Sequence, residues 1–341
     1  MKIAFFETTP DDELYLKSAL SQVHELIFIP EPVSIENATL AKDCEGISIF
    51  IYSSIDIAIL DMLPRLKLIT TRSTGFDHID IDACEKRGIA ISNVPHYGEN
   101  TVAEHTFALI LALSRNVHKS YARGLKQNYS FDDLHGFDLK DKTLGVIGTG
   151  HIGLHAIRIA KGFGMHVLAT DVHENTFLSE ILHYRYVPLE KLLAESDIIS
   201  LHLPLSEHTK HLINQGNINT IKRGALLINT SRGGIVENEA LVMALDSGIL
   251  SGAGLDVIEG EEFLKEEKQL VSKQQKTPSQ FESLTKTHEF LRRDNVVFTP
   301  HIGFYSVEAL ERILDTTVKN ITAFSEGKNA HFVNHPEPCI S

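Results

Sequence analysis

Short apolar runs alternate with amphipathic stretches along most of this chain. Apolar runs predict buried strands at 2–7, 25–29 and 47–51, with a helix at 11–22 between the first two. Two more strands are predicted directly before Arg72 and Pro95. This alternation over about the first 95 residues indicates a small parallel α/β domain.

The same alternation resumes in the second half of the chain. Six further strands are predicted, at 143–147, 165–170, 197–203, 224–229, 251–255 and 295–298. The apolar run 107–113 follows the capping-box spacing of Thr101 and Glu104, which predicts a helix linking the two regions. A last helix at 307–324 is expected to pack on the first domain. At 341 residues, the chain is predicted to form two parallel-sheet α/β domains with a cleft between them.

A glycine-rich turn lies between the strand at 143–147 and the helix after it. Gly148, Gly150 and Gly153 form a G-x-G-x-x-G fingerprint, and Asp171 follows the next strand. Such a turn lets backbone approach a pyrophosphate, whose charge the helix N-terminus stabilises, while the acid accepts the ribose hydroxyls. The carboxylate of Asp171 would repel a phosphate on that ribose. The sequence therefore predicts a dinucleotide site that prefers NAD to NADP.

Composition and charge exclude several classes of protein. A net charge of −13 disfavours nucleic acid as a partner, because that binding needs a basic surface. No apolar run approaches the roughly 20 residues of a membrane span, and the N-terminal apolar run is too short for a signal peptide. No membrane association is predicted, and the cytoplasm is the expected location.

Cysteine and histidine usage gives little indication of a metal. Cys44, Cys84 and Cys339 are widely spaced, which predicts neither disulfides nor a zinc site. The chain has 18 histidines, and His151 and His155 share a helix face. No H-E-x-x-H motif is present, however, and His151 lies inside the glycine turn. No metal is therefore predicted.

Three residues with catalytic potential follow predicted strands of the second domain: Arg232, Asp256 and His301. Ligands of parallel sheets bind at the carboxyl ends of the strands, so these side chains are expected at one rim. His301 can exchange a hydroxyl proton near neutral pH, and Arg232 can bind a carboxylate. From spacing alone, either Glu259 or Glu261 could hold the histidine.

A second small cluster lies at Ser73, Thr74 and Gly75 in the first domain. Successive backbone N–H groups in such a turn can form a nest for a carboxylate. This cluster, Arg232 and His301 each have a chemical use if the reaction is hydride transfer between a nicotinamide and a carbon that bears a hydroxyl group.

These motifs resemble those of the D-isomer-specific 2-hydroxyacid dehydrogenases, over nearly the whole chain. The similar stretches run from Arg72-Ser-Thr-Gly-Phe-Asp-His-Ile-Asp80 to Thr299-Pro-His-Ile-Gly303 and include Ile228-Asn-Thr-Ser-Arg-Gly233. The resemblance implies a flavodoxin-like substrate domain formed by 1–98 and 300–341. It also implies an inserted Rossmann domain at 99–299 that binds NAD and carries a polar insertion near 262–294.

The resemblance also implies roles for individual residues. By motif matching, the catalytic residues are Arg232, His301 and Glu261, which holds the histidine and leaves Glu259 without a role. Asp256 would contact the nicotinamide side of the cofactor, and Tyr97 would lie beside the cofactor. Further cofactor contacts are implied for Val102, His151, Ile152, Leu203, Pro204, Thr230 and Ser231.

Within the family, the motifs are most similar to those of D-lactate dehydrogenases. Tyr52, Tyr97 and Phe304 would form a small apolar pocket suited to a methyl group. The expected reaction is reversible reduction of a small 2-oxo acid, foremost pyruvate, to the D-hydroxy acid. Other substrates stay open, because Phe304 stands where many lactate enzymes have Tyr. They are glyoxylate, hydroxypyruvate or an acid with a larger side chain.

Two other classes of protein are less favoured. An NAD-sensing protein similar to corepressors can retain the same three catalytic residues, but the chain's small size and acidic charge weigh against it. A methyltransferase shares the glycine turn but leaves Arg232, Glu261 and His301 unexplained. The resemblance further implies a homodimer that associates through the cofactor domain.

Overall fold

The computed structural model describes residues 1–260, 290–328 and 331–334. The chain divides into two compact units, Met1–Tyr97 with Ser306–Ser341, and Gly98–Tyr305. Residues 300–305, expected in the first domain, lie in the second unit. The backbone N–H groups of Ile302 and Gly303 donate to Asp256 of that unit, which ties the segment to it.

The first unit contains one parallel sheet of five strands. The strands are β1 (Lys2–Phe6), β2 (Glu25–Ile29), β3 (Gly46–Ile49), β4 (Leu68–Thr71) and β5 (Ala90–Ser92). Their order is β2-β1-β3-β4-β5, with every neighbouring pair parallel, which is the flavodoxin-like order. The connecting helices are α1 (Pro10–Leu20), α2 (Ile57–Asp61) and α3 (Ile81–Glu85).

The C-terminal helix (Val307–Ser325) belongs to this first unit. Its residues Leu314 and Ile321 are buried in one apolar cluster with Leu16 and Leu20 of α1. The prediction that the last helix packs on the first domain is thereby confirmed.

The second unit contains a parallel sheet of seven strands. They are β6 (Thr143–Ile147), β7 (His166–Thr170), β8 (Arg185–Tyr186), β9 (Ile198–Leu201), β10 (Ala225–Asn229), β11 (Leu250–Leu255) and β12 (Val296–Phe298). Their order is β12-β11-β10-β9-β6-β7-β8. The strands β6 to β11 have the Rossmann order, and all neighbouring strands are parallel. From β6 the sheet grows first through β7 and β8 on one side and then through β9, β10 and β11 on the other, so the topological switch point lies between β6 and β9. A dinucleotide is therefore expected at the carboxyl ends of these two strands.

Six helices belong to the described part of this unit. They are α4 (Glu99–Ser114), α5 (Val117–Leu125), α6 (His151–Gly162), α7 (Thr176–Leu182), α8 (Leu189–Glu195) and α9 (Asn238–Asp246). Buried apolar clusters lie on both faces of the sheet, which is why its central strands read as continuous apolar runs.

The predicted capping box at the start of α4 is wrong. The helix begins at Glu99 with Gly98 as its N-cap, and the N–H of Val102 already donates to the Gly98 carbonyl at 2.8 Å. Thr101 therefore lies inside the first turn. Its spacing to Glu104 fits a helix interior as well as a capping box, so the pattern placed the start too late.

The predicted insertion at 262–294 lies mostly outside the described residues. Phe290 is 7% exposed and packs in the apolar core of the second unit, so the chain has returned to the core before 294. Among the described helices, none has the length and apolar character needed to cross a membrane. The cytoplasm as location stays a prediction from the sequence.

Candidate active site

Each of the three glycines in the turn between β6 and α6 is required for a different structural reason. Gly148 has φ +96°, and a Cβ there would lie 2.4 Å from the His202 carbonyl oxygen at the end of β9. A Cβ at Gly153 would lie 2.1 Å from the Gly148 carbonyl oxygen, so only glycine lets the helix approach the turn. A Cβ at Gly150 would meet none of the described atoms within 4 Å. This position is open toward solvent, as a pyrophosphate requires.

The N-terminus of α6 is suited to an anion. Gly150 is its N-cap and contributes no side-chain hydrogen bond. The helix has twelve residues, so its first-turn N–H groups and dipole can stabilise a phosphate. Together with the space above Gly150, this fits the pyrophosphate of NAD.

Asp171 is held at the end of β7 by the same turn. Its Oδ2 accepts from the Thr149 backbone N–H at 2.6 Å and from the Thr149 hydroxyl at 3.1 Å, and its Oδ1 accepts from the His173 N–H at 2.9 Å. Burial acts to raise the pKa of Asp171, but the hydrogen bonds from His173 and Thr149 outweigh it and lower the pKa. The group is therefore an oriented carboxylate at neutral pH, as binding of the ribose hydroxyls requires.

A hydroxyl network behind Asp171 was not foreseen from the sequence. The Tyr186 hydroxyl lies 2.8 Å from the Thr149 hydroxyl and 3.0 Å from that of Tyr184. Tyr186 stands on the two-residue strand β8, too short to produce a sequence signal. This network restrains the side chain of Thr149, which itself donates to the carboxylate.

The other residues expected at the cofactor occupy several segments of the second unit. Leu203 lies beside the turn, where its Cδ2 would be 2.9 Å from a Cβ at Gly148. The hydroxyl of Thr230 lies 2.9 Å from that of Thr106 on α4, and His151 lies 3.5 Å from Glu99. Their contacts with cofactor, like those of Val102, Ile152, Pro204 and Ser231, stay predictions.

The loop that carries Arg232 is organised by Asn229, which sequence reasoning missed. Asn229 is 1% exposed at the end of β10. Its Oδ1 accepts from the Ser231 N–H at 3.1 Å, and its Nδ2 donates to the Arg232 carbonyl at 2.9 Å. Such a turn is a common use of Asn directly after a strand, so the residue type was the available signal.

Gly233 brings the arginine loop against the segment that leads to the predicted acid. A Cβ at Gly233 would lie 2.0 Å from the carbonyl carbon of Ile258, so only glycine permits this contact. The carboxylate of Glu259 lies 2.7 Å from His211 Nε2. Glu259 is thus engaged by another histidine, and its lack of a catalytic role stays a prediction. Glu261 lies outside the described residues.

His301 is presented by a strained backbone. Its φ is +55°, a left-handed conformation that non-glycine residues adopt mainly where the surroundings impose it. Its N–H donates to the Asp256 carbonyl at 2.8 Å, and its ring makes an edge contact with Phe304, 6.4 Å between centroids. Such outliers are frequent at functional sites.

Asp256 holds the segment around His301 through hydrogen bonds to its side chain. Its Oδ1 accepts from the Thr299 hydroxyl at 2.5 Å and the Ile302 N–H at 2.9 Å, and its Oδ2 accepts from the Gly303 N–H at 2.8 Å. Burial acts to raise the pKa of Asp256, but hydrogen bonds with His105, Thr299 and Gly303 outweigh it and lower the pKa. This support role was not foreseen, and the expected contact with the nicotinamide side stays a prediction.

The first unit contains the other expected substrate contacts. The Ser73 hydroxyl donates to the Gly75 carbonyl at 2.6 Å, and the Thr74 hydroxyl donates to the Val94 carbonyl at 2.9 Å. The turn is thus held through its hydroxyls and carbonyls. Tyr52 is 49% exposed on the loop after β3, whereas Tyr97 is 9% exposed. Their contacts with a substrate stay predictions.

Comparisons with known proteins agree with this geometry. A family model described as D-isomer specific 2-hydroxyacid dehydrogenase, NAD binding domain, matches residues 107–303. D-lactate dehydrogenase of Escherichia coli is 35% identical over 331 residues, covering 96% of this chain and 98% of its own. Glyoxylate reductase of Korarchaeum cryptofilum is 35% identical over 291 residues, covering 84% and 81%.

A solved structure is similar over the same length. The crystal structure of D-lactate dehydrogenase from Aquifex aeolicus, complexed with NAD and lactic acid, has a TM-score of 0.88 and 40% identity. The comparison covers 98% of this chain and 100% of that one. The enzyme interpretation is confirmed, as is NAD as cofactor. This chain therefore belongs to the D-isomer-specific 2-hydroxyacid dehydrogenases and is an NAD-dependent oxidoreductase.

Proposed function

We propose that this enzyme reversibly reduces pyruvate to D-lactate with NADH. The observation that carries the proposal is the rim formed by three neighbouring strands of the second unit. Arg232 follows β10, Asp256 follows β11 and His301 follows β12, and these strands are paired in that order. Because paired strands lie about 4.8 Å apart, an arginine and a histidine can act on one small molecule at this rim.

Each of the three catalytic residues has a distinct task in this proposal. NADH, when bound at the glycine turn, would supply the hydride for C2 of the oxo acid. Arg232 binds the substrate carboxylate and stabilises the negative charge that develops on the carbonyl oxygen. His301 donates the proton to that oxygen. The family resemblance implies that Glu261 is the partner that would orient the imidazole. In lactate oxidation His301 takes the proton back.

The support for pyruvate comes from the aromatic residues and from the relatives. The family resemblance implies that Tyr52, Tyr97 and Phe304 suit a small apolar side chain, and relatives named D-lactate dehydrogenase align over nearly the whole chain. The glyoxylate reductase relative, also 35% identical, makes reduction of glyoxylate the second candidate. In this proposal the Ser73–Gly75 turn adds backbone donors for the substrate carboxylate.

A steady-state panel tests the choice of substrate. Glyoxylate, pyruvate, 2-oxobutyrate, hydroxypyruvate and phenylpyruvate are each supplied with NADH. The enantiomer of each chiral product is determined by chiral chromatography; glycolate, the product from glyoxylate, is achiral. We expect the highest kcat/KM with pyruvate and D-lactate as the product. A higher kcat/KM with glyoxylate than with pyruvate would make glyoxylate the preferred substrate. Formation of L-lactate from pyruvate would contradict the proposal.

We also propose that two copies associate through the second unit, as the family resemblance implies. Val117, Tyr121 and Leu125 stand at successive turns of α5 and are 55%, 69% and 70% exposed. Tyr129 and Phe131, which follow the helix, are 83% and 85% exposed. Several large apolar side chains exposed in one segment support an interaction site there. Sedimentation velocity should give the mass of two chains, and the mass of one chain would refute the dimer.

A further inference from the structure

Glu7 and Arg72, near the carboxyl ends of β1 and β4, join two segments expected to bind substrate. We propose that Glu7 is a positioning residue for substrate selection: its carboxylate holds the loop 50–53, which carries Tyr52. Arg72 ties the same loop to the strand that leads into Ser73. This inference rests on the proposed function of the first unit in binding the oxo acid.

The backbone at Glu7 is the first sign of a special role. The residue directly follows β1 and has φ +56°, the left-handed conformation. Its N–H donates to the Glu31 carbonyl at 3.2 Å. A glutamate held in this conformation at the carboxyl end of a parallel strand indicates that its side chain is needed in one direction.

That direction is toward the loop after β3. The Oε1 of Glu7 accepts from the Tyr52 backbone N–H at 2.8 Å, and its Oε2 accepts from the Phe50 N–H at 2.9 Å. The Ser53 hydroxyl donates a short hydrogen bond to Oε2 and accepts from the Val33 N–H at 3.1 Å. One carboxylate therefore accepts hydrogen bonds from three residues of this loop, Phe50, Tyr52 and Ser53.

Arg72 completes the arrangement from the neighbouring strand. Its guanidinium is buried, with 2% of the residue exposed, and donates to the carbonyls of Phe6 and Glu7 at 2.7 Å each. It also donates to the Ser48 hydroxyl at 3.1 Å and lies 5.5 Å from the centroid of the Phe50 ring. Burial lowers the pKa of Arg72, and the nearby charge of Glu7 opposes that shift. The hydrogen bonds of Arg72 thus join the carboxyl ends of β1 and β3 to the end of β4.

Glu7 and Arg72 affect two residues that are expected to contact substrate, Tyr52 and Ser73. Tyr52 is held by its backbone while its side chain is 49% exposed, so the ring can contact a ligand from a fixed loop. Arg72 is followed directly by Ser73, whose hydroxyl donates to Gly75. A change at Glu7 should therefore alter how a substrate is recognised before it alters the fold or the cofactor site.

The test variant is Glu7→Gln. Its amide has one acceptor oxygen and one donor nitrogen, so at least one of the Phe50, Tyr52 and Ser53 donors loses its acceptor. We expect KM for pyruvate to rise about tenfold and the ratio of kcat/KM between pyruvate and phenylpyruvate to change several-fold. The KM for NADH and the kcat should stay within about threefold of wild type. Amide hydrogen exchange across 50–53 should accelerate.

Glu25→Gln is the matched control. Glu25 is an exposed carboxylate at the start of β2, at the opposite end of the same sheet, and pairs only at the surface with Lys2 at 2.9 Å. This variant removes the same charge from the same unit. We expect wild-type KM, selectivity and hydrogen exchange across 50–53.

The two readouts separate failure of this inference from failure of the proposed function. The inference would be overturned if Glu7→Gln showed faster hydrogen exchange across 50–53 but the same KM and selectivity as the control. In that case the loop would not influence substrate binding. Unchanged exchange would overturn it directly. A wild-type enzyme that reduced no 2-oxo acid would instead refute the proposed function. If Glu7→Gln does not fold, Ser53→Ala removes one of the three hydrogen bonds and should shift KM in the same direction by a smaller factor.

Discussion

Two glycines of the nucleotide turn should differ in how much the same substitution destabilises the protein. Gly153 and Gly150 lie three residues apart, and each can be replaced by alanine. A Cβ at Gly153 would lie 2.1 Å from the Gly148 carbonyl oxygen, whereas a Cβ at Gly150 would have no described neighbour within 4 Å. Gly153→Ala therefore disturbs the folded protein, and Gly150→Ala disturbs only what binds to it.

The size of each effect follows from these distances. Ordinary contact begins near 3.4 Å, so relief of the Gly153→Ala overlap requires α6 to move by more than 1 Å against a backbone oxygen. Overpacking of this kind costs about 3 kcal/mol and lowers Tm by about 5–10 °C in a unit of this size. Gly150 has φ −67° and ψ −171°, which alanine adopts without strain. Replacing Gly150 by alanine should change the free energy of unfolding by less than about 1 kcal/mol. The lower conformational entropy of the unfolded chain stabilises the variant, whereas alanine is a poorer N-cap and destabilises it.

Both substitutions should weaken NADH binding. A methyl group at position 150 occupies the space left for the pyrophosphate and should raise the Kd for NADH roughly 5- to 150-fold, the factor for 1–3 kcal/mol of overlap. Thermal unfolding followed by circular dichroism and NADH fluorescence titration measure the two effects separately. Equal loss of Tm in both variants, or wild-type NADH affinity in Gly150→Ala, would refute this reading of the turn.

Two further predictions concern the carboxylates of the second unit. Asp171→Ala should weaken NADH binding roughly tenfold or more, because the hydrogen bonds from the ribose hydroxyls to a charged acceptor are lost. The preference should also shift toward NADPH, because the carboxylate no longer repels the phosphate on the ribose. An unchanged ratio of kcat/KM for the two cofactors would contradict this role. Asp256→Asn cannot accept all three hydrogen bonds from Thr299, Ile302 and Gly303, so it should be about 2 kcal/mol less stable at pH 7 and lower kcat by releasing His301. Since the folded-state pKa of Asp256 is lowered, its stabilisation is present above the unfolded-state pKa and lost as pH falls through the folded one. Urea unfolding should therefore show the gap between wild type and variant narrowing toward acid pH, and a gap that widens would contradict the assignment.

The features that sequence predicted best were those with a local signal. The glycine turn, Asp171 after its strand and the buried parallel strands each depend on residues close together in the chain, so the fold class followed from pattern alone. The start of α4 was missed because the Thr101–Glu104 spacing fits two local structures. α5 and β8 were missed for another reason: within the described ranges α5 has no buried residue, and β8 has two residues in all.

The features that sequence could not predict depend on contacts between distant segments. Glu7 and Phe50 are 43 positions apart, and Asp256 and Gly303 are 47 apart. Nothing in either local sequence indicates that a glutamate will hold another loop or that an aspartate will support a histidine. The choice between Glu259 and Glu261 likewise needed the family resemblance, and only the structure located Glu259 beside His211.

The most direct test of the central claim is turnover by His301→Ala compared with His166→Ala. His166 is an exposed histidine at the start of β7, at the end of the strand opposite the rim, so it controls for loss of an imidazole. Pyruvate reduction is measured at saturating NADH, and NADH binding is measured by fluorescence. General acid catalysis of this kind contributes typically 10²–10⁴-fold, so His301→Ala should lose turnover by about that factor and still bind NADH, while His166→Ala matches wild type. Near wild-type kcat in His301→Ala would contradict the proton-transfer role on which the account rests.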